Sequence, residues 1–281
     1  MYAFLHALLF LQVLFMQQQN IYYKACLCSY CGDNYNGWQR QKNATGVQNI
    51  IENILSQLYG IKILIAGSGR TDTGVHAYGQ VFNFAAAKYF DNNTLMRALN
   101  SLLPKDIAVL EITDVTKDFH AGKSIKSKTY EYKIINMPVH NPFMINRALW
   151  IRNHIDRKYL EDTLAFFKGT CDFQSFCVKK TKKANTIRTI NYIKLITDNE
   201  NISILINADG FLHNMVRIIT GTALKIVKDN LNPENILTIM EQKDRRMAGP
   251  TAPAYALYQK EAFYNNDNIA GLKGIPAKYL I

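Results

Sequence analysis

Two apolar runs, Ile187–Ile196 and Ile202–Ala208, stand on either side of Asp198-Asn199-Glu200-Asn201. Four turn-type residues cannot hold a crossover helix, so two strands joined this way pair antiparallel. That pairing constrains the whole chain. Strand-like segments also occur at Tyr22–Tyr30, Ile61–Ala66, Gln80–Ala85, Ile107–Ile112, Ser127–Ile135 and Ala254–Tyr264. Helical patterns lie between them. In residues 46–60 the apolar positions Val47, Ile50, Ile51, Ile54, Leu55 and Leu58 fall on one face, with Gly60 placed to end the helix. Further helices are expected over Thr94–Leu103, stopped by Pro104, and over Asp156–Lys168, capped by Asp156. Two more follow: Gly210–Val227 after its first residues, and Glu234–Lys243 after Asn232-Pro233. Paired strands alternating with helices predict an α+β fold on largely antiparallel sheets flanked by helices, not a doubly wound parallel sheet.

The length of 281 residues is about twice a typical domain of ~150. The two halves have similar content, so the expected units are residues 20–120 and 121–268, with 269–281 a tail. At 48% hydrophobic and 20% charged, the chain can bury a sizeable core, which excludes a disordered or collagen-like chain. Five irregularly spaced cysteines are no disulfide framework and suit a reducing compartment. Residues 1–16 hold no Lys, Arg, Asp or Glu. This run is too short to span a bilayer, which takes about 20 residues, and it lacks the basic start of a signal peptide. Residues 1–19 are therefore read as an appendage or an over-extended start. The expected location is cytoplasmic, with no membrane partner.

Charge separates the halves. Residues 1–120 carry 9 basic and 8 acidic side chains; residues 121–281 carry 24 and 14. A strongly basic half favours a polyanionic partner, because neutralising phosphates releases condensed counterions. An acid-free stretch, Phe173–Thr197, holds Lys179, Lys180, Lys182, Lys183 and Arg188. It reads as a phosphate-contacting surface, or as a solvated loop.

The most unusual local sequence is Gly67–Gln80, GSGRTDTGVHAYGQ, which gathers Arg70, Asp72 and His76 among four glycines. It is a candidate for catalysis; Asp72 capping a turn and pairing with Arg70 is the structural alternative. Trp38 with Arg40 suits phosphate contact, or a core Trp beside a solvated Arg. Lys126, Lys128 and Tyr130 combine cations with an aromatic that can stack on an unpaired base. Tyr130 equally suits strand packing. Arg217, in an apolar helix, needs a carboxylate partner if buried. Cys26, Cys28 and Cys31 lack the further ligands of a zinc site. No phosphate-cradling P-loop, nucleophile elbow or dinucleotide fingerprint is present, so no cofactor or metal is expected.

The segment Gly69-Arg70-Thr71-Asp72-Thr73-Gly74-Val75-His76-Ala77 closely resembles the signature loop of the TruA family of tRNA pseudouridine synthases. Other motifs follow in order: Tyr35–Gln41 with Val47-Gln48, Ser127–Tyr132, Asp172–Phe176, Gly210–Arg217 and Ala252–Leu257. The resemblance covers about residues 21–264. Cys31, Thr73 and Tyr255-Ala256 depart from the family's usual residues, and none of them touches the aspartate. The resemblance implies two α+β domains with a basic cleft between them, and a homodimer acting without cofactor on the anticodon arm of tRNA. There uridines at positions 38, 39 and 40 would be isomerised to pseudouridine. It assigns Asp72 as the catalytic aspartate and Arg217 as its cationic partner. Arg70 would help take the nucleotide out of the stack, and Tyr130 would stack on the target base. Expected RNA contacts are Arg40, Lys126, Lys128, Lys179, Lys180, Lys182, Lys183 and Arg188.

Overall fold

The computed structural model describes residues 20–178 and 185–265. The N-terminal segment 1–19, the 269–281 tail and the lysines 179, 180, 182 and 183 lie outside the described residues.

Among the described residues, ten strands form one mixed sheet. In the first half, β1 (Tyr22–Tyr30) pairs antiparallel with β3 (His76–Ala86) and with β4 (Ile107–Asp114), and the two-residue β2 (Ala66–Gly67) joins β3. In the second half, β5 (Ile125–Asn136) pairs antiparallel with β9 (Asn201–Ala208). The hairpin partner of β9 is β8 (Ile187–Asp198), which carries β7 (Gly169–Asp172) on its outer edge. Short β6 (Leu149–Ile151) runs parallel to β5. The last strand, β10 (Leu257–Tyr264), inserts between β3 and β5, parallel to the first and antiparallel to the second. The order is β4-β1-β3-β10-β5-β9-β8-β7, so β10 joins the sheet of one half to that of the other.

Helices α1 (Val47–Tyr59) and α2 (Asn92–Leu102) cover the first half, and α3 (Arg157–Ala165), α4 (Met215–Lys228) and α5 (Asn235–Gln242) the second. Two separate apolar clusters result. One gathers Ile51, Leu55, Leu95 and Leu99 against Cys26, Cys28, Phe82 and Phe84. The other gathers Leu160, Leu164, Ile218 and Ile219 against Tyr132, Ile134, Ile204 and Ile206. Alternate β1 and β3 residues, Ala25, Leu27 and Val81, face the other way onto Phe119 and Ala121.

The predicted α+β, mainly antiparallel architecture is what the structure shows. Several boundaries move. The strand expected over Ile61–Ala66 shrinks to Ala66–Gly67, because its donors go to side chains of α1. The Ile63 N–H binds Ser56 Oγ at 2.9 Å and the Ile65 N–H binds Glu52 Oε1 at 3.1 Å. The helix after Asp156 ends at Ala165, three residues early, ahead of Gly169 at φ 108°. The last strand begins at Leu257, after a 3-10 turn over Ala254–Ala256.

Candidate active site

Where β3, β10 and β5 meet, a cleft of about 830 Å³ opens, lined by residues from both halves. Its first wall is the Gly67–Gln80 loop. Asp72 sits at a turn closed by the Val75 N–H on the Asp72 carbonyl (3.1 Å), with Gly74 at φ 77°. The Tyr35–Gln41 segment braces this turn from behind. The Trp38 and Gly74 N–H groups donate to Thr71 O and Tyr35 O, at 3.4 and 3.3 Å. Tyr30 and Thr71 join their hydroxyls at 2.8 Å. Gly37, at φ 78°, lies so close to Thr71 that a Cβ there would stand 2.2 Å from the Thr71 carbonyl oxygen. Only glycine permits that approach at that dihedral.

Underneath is a buried polar network. Gln80 donates to Gly69 O (2.8 Å), and Gln259 of β10 donates to Gln80 Oε1 (2.8 Å) and Ser68 Oγ (3.1 Å). His76 locks the rim. Its Nδ1 accepts from the Gly32 N–H (3.0 Å), which requires the tautomer whose Nε2–H reaches Tyr255 O (2.8 Å) and Asn146 O (3.1 Å). Burial lowers its pKa, the carbonyl of Tyr255 opposing. His76 is thus a neutral clip and does not face the cleft.

The opposite wall comes from the second half. Asn214 takes a left-handed conformation (φ 63°) ahead of α4; His213 stands in that turn and Arg217 in the first turn of the helix, and both reach Asp72. Arg217 Nη1 lies 3.6 Å from Asp72 Oδ2, and His213 Nε2 lies 3.4 Å from Asp72 Oδ1. Arg217 is itself fixed: Nε donates to Ala252 O (2.7 Å) and Nη1 to Asn214 Oδ1 (2.8 Å). The carboxylate is a quarter exposed, so it is held between two basic groups while still open to a ligand.

Tyr130, on β5, forms the floor. Its ring meets Phe211 edge-on at 5.0 Å, and its hydroxyl approaches Gln259 Oε1 at 3.4 Å. Burial, with the Asp72 charge adding to it, pushes the phenol's pKa up, so it stays a neutral donor. Arg70 also lines the cleft, but it pairs with Gln39 (Nε to Oε1, 3.1 Å) and not with Asp72.

The family model for tRNA pseudouridine synthases matches residues 27–122 and 164–265. This chain belongs to that family. A tRNA pseudouridine synthase A 2 of Clostridium tetani is 38% identical over 238 residues, which is 84% of this chain and 96% of that protein. The tRNA pseudouridine synthase A of Ruminiclostridium cellulolyticum is 39% identical over 236 residues, covering 84% and 96%. That of Acetivibrio thermocellus is 37% identical over 238 residues, covering 85% and 98%. The chain is therefore an isomerase of the pseudouridine synthase kind.

Within this family member, the structure brings together Asp72, Arg70, Lys128, Tyr130 and Arg217 in one cleft. Arg40 lies off the cleft lining, its Nη1 2.6 Å from Glu52, a buried acid that the sequence reading did not foresee. Lys126 is exposed on β5. Arg188 caps backbone carbonyls of Asn185 and Ile187. Sequence reasoning missed His213 as a partner of Asp72; it stands in the turn ahead of α4, and no local spacing singles it out. No helix among the described residues is long and apolar enough to cross a membrane.

Proposed function

We propose that the protein converts uridine to pseudouridine at positions 38, 39 and 40 in the anticodon arm of tRNA, with Asp72 as the reactive group. The N1–C1′ bond breaks, a C5–C1′ bond forms, and the proton leaving C5 is balanced by one gained at N1. Nothing is oxidised and no group donor is consumed. The observation that carries this reading is the Asp72 carboxylate, held between Arg217 and His213 at the mouth of a cleft floored by Tyr130. A carboxylate beside an anomeric carbon stabilises the positive charge that develops as the glycosidic bond breaks. Arg217 keeps it aimed. Tyr130 supplies an aromatic wall for a base extruded from its stem. Arg70, with its fork partly engaged by Gln39, reaches toward the displaced strand.

In this reading residues 20–120 supply the carboxylate and residues 121–268 the cations and the aromatic. The basic surface of the second half, including Lys126, Arg188 and the lysines at 179, 180, 182 and 183, follows the RNA backbone. The protein acts in the cytoplasm as a homodimer. The cysteines, all free, agree with a reducing compartment. Incubation with unmodified tRNA transcripts and site-resolved pseudouridine mapping tests the proposal. Conversion at 38–40 supports it; conversion elsewhere only, or none, contradicts it.

A further inference from the structure

Among the described residues, no carboxylate forms an ion pair with Lys128 or Arg188. Lys128 lies on β5 two residues before Tyr130, so both side chains point to the same face and line the cleft. The Lys128 ammonium reaches under the Asp72 loop. It fills the space over Gly69, where a Cβ would stand 2.5 Å from Nζ. Burial, and secondarily the like charge of Arg188, lowers the pKa of Lys128. Among the described residues no carboxylate forms an ion pair with it. Arg188 spends Nη1 on two backbone carbonyls. Its Nε lies over Gly210, where a Cβ would come within 3.3 Å. Gly210 immediately precedes Phe211 of the cleft wall. Two glycines thus make room for two cationic heads, one beside the Asp72 loop and one beside Phe211.

A partly buried ammonium whose pKa burial and the like charge of Arg188 both lower is unfavourable until an anion neutralises it. We propose that Lys128 Nζ and the Nε edge of Arg188 form a single phosphate site that grips the backbone phosphate next to the extruded uridine. Lys128 and Tyr130 are roughly 7 Å apart along the strand, the scale of one nucleotide. A base against Tyr130 and a sugar at Asp72 therefore leave the adjoining phosphate at Lys128. The role is positioning: the clamp sets how far the nucleotide enters the cleft. It rests on the reading of the cleft as the uridine site.

The test uses the full-length protein and an anticodon stem-loop RNA with one target uridine. The RNA is either all-phosphate or carries one neutral methylphosphonate, placed 5′ to the target, 3′ to it, or three linkages away. Each neutral RNA has a control with the same sugar. Dissociation constants and single-turnover conversion are both measured for wild type, Lys128→Met and Arg188→Gln. Lys128→Met should weaken binding of the all-phosphate RNA about tenfold, the loss of one charge-assisted contact. It should add no further loss on the RNA neutralised at one of the two flanking linkages. Arg188→Gln should be silent on that same RNA. Thermal unfolding of free Lys128→Met should be no lower than wild type, because the deleted ammonium has no carboxylate partner among the described residues. The proposal is overturned if the lysine's cost is the same on every RNA, or absent, or matched by the distant neutral linkage. A wild type that binds but converts nothing would overturn the reaction assignment alone, since the binding series still reads the phosphate.

Discussion

On one side of the cleft the Asp72 turn is held by backbone contacts; on the other, Arg217 is held by hydrogen bonds that its own guanidinium makes. The Asp72 turn rests on hydrogen bonds from Trp38 and Gly74 and on the close pass of Gly37. Arg217 depends on Asn214 Oδ1, one turn back in the chain, and on Ala252 O from a later segment. Backbone bracing tolerates no added atom at its contact points, whereas a side-chain brace fails by losing one group. The Asp72 turn is thus sensitive to added atoms, and Arg217 to removed ones.

The comparison breaks first at Gly37. Gly37→Ala forces a Cβ into the Thr71 carbonyl at a positive φ, and should cost roughly 3 kcal/mol of stability. Gly60 has a similar φ of 69° but faces open space. Gly60→Ala should cost only about 1 kcal/mol. Denaturant unfolding of both variants isolates the close approach from the dihedral. Equal costs would show that the bracing contact contributes nothing.

Arg217→Ala attacks the other wall. It strips Ala252 O and Asn214 Oδ1 of a charged donor and leaves Asp72 with His213 only. Stability should fall by about 2 kcal/mol, and isomerisation should fall with it. Unaltered kinetics and unaltered unfolding would remove Arg217 from the account.

His76 offers a sharper cut, because it ties Gly32 on the first side to Tyr255 on the second. Its folded pKa is lowered by burial, so the unfolded chain binds the proton more readily. The stability it contributes is full above about pH 6.5, the ordinary histidine value, and is lost as pH falls below that toward the depressed folded value. Unfolding followed from about pH 7.5 to 5 should show this acid loss. His76→Gln should start less stable and show a flatter profile. The smallest effect belongs to His213, which is 42% exposed. His213→Ala should change stability by less than about 1 kcal/mol.

Much of this was legible beforehand because it is local. The helix Val47–Tyr59 declares itself by apolar spacing and by Gly60, and the Asp198–Asn201 hairpin by its turn. The Asp72 loop stands out because glycine, arginine and aspartate crowd between apolar strands. Long-range accounting was hidden. Nothing local in Ile61–Ala66 reveals that Ser56 and Glu52 take its backbone donors, so a strand was expected there. Nor does the end of the chain reveal that β10 inserts between β3 and β5, carrying Gln259 beneath the site. Arg40 reads as a free cation in a turn, and only the fold brings it to Glu52.

The central claim is that Asp72 performs the chemistry while the rest of the cleft holds the RNA. Asp72→Asn keeps the shape and removes the charge. Its affinity for unmodified tRNA should equal wild type or rise slightly, since one negative charge near the phosphates is gone. Single-turnover pseudouridine formation by this variant should fall about a thousandfold or more. Turnover near wild type, with binding intact, would contradict the account.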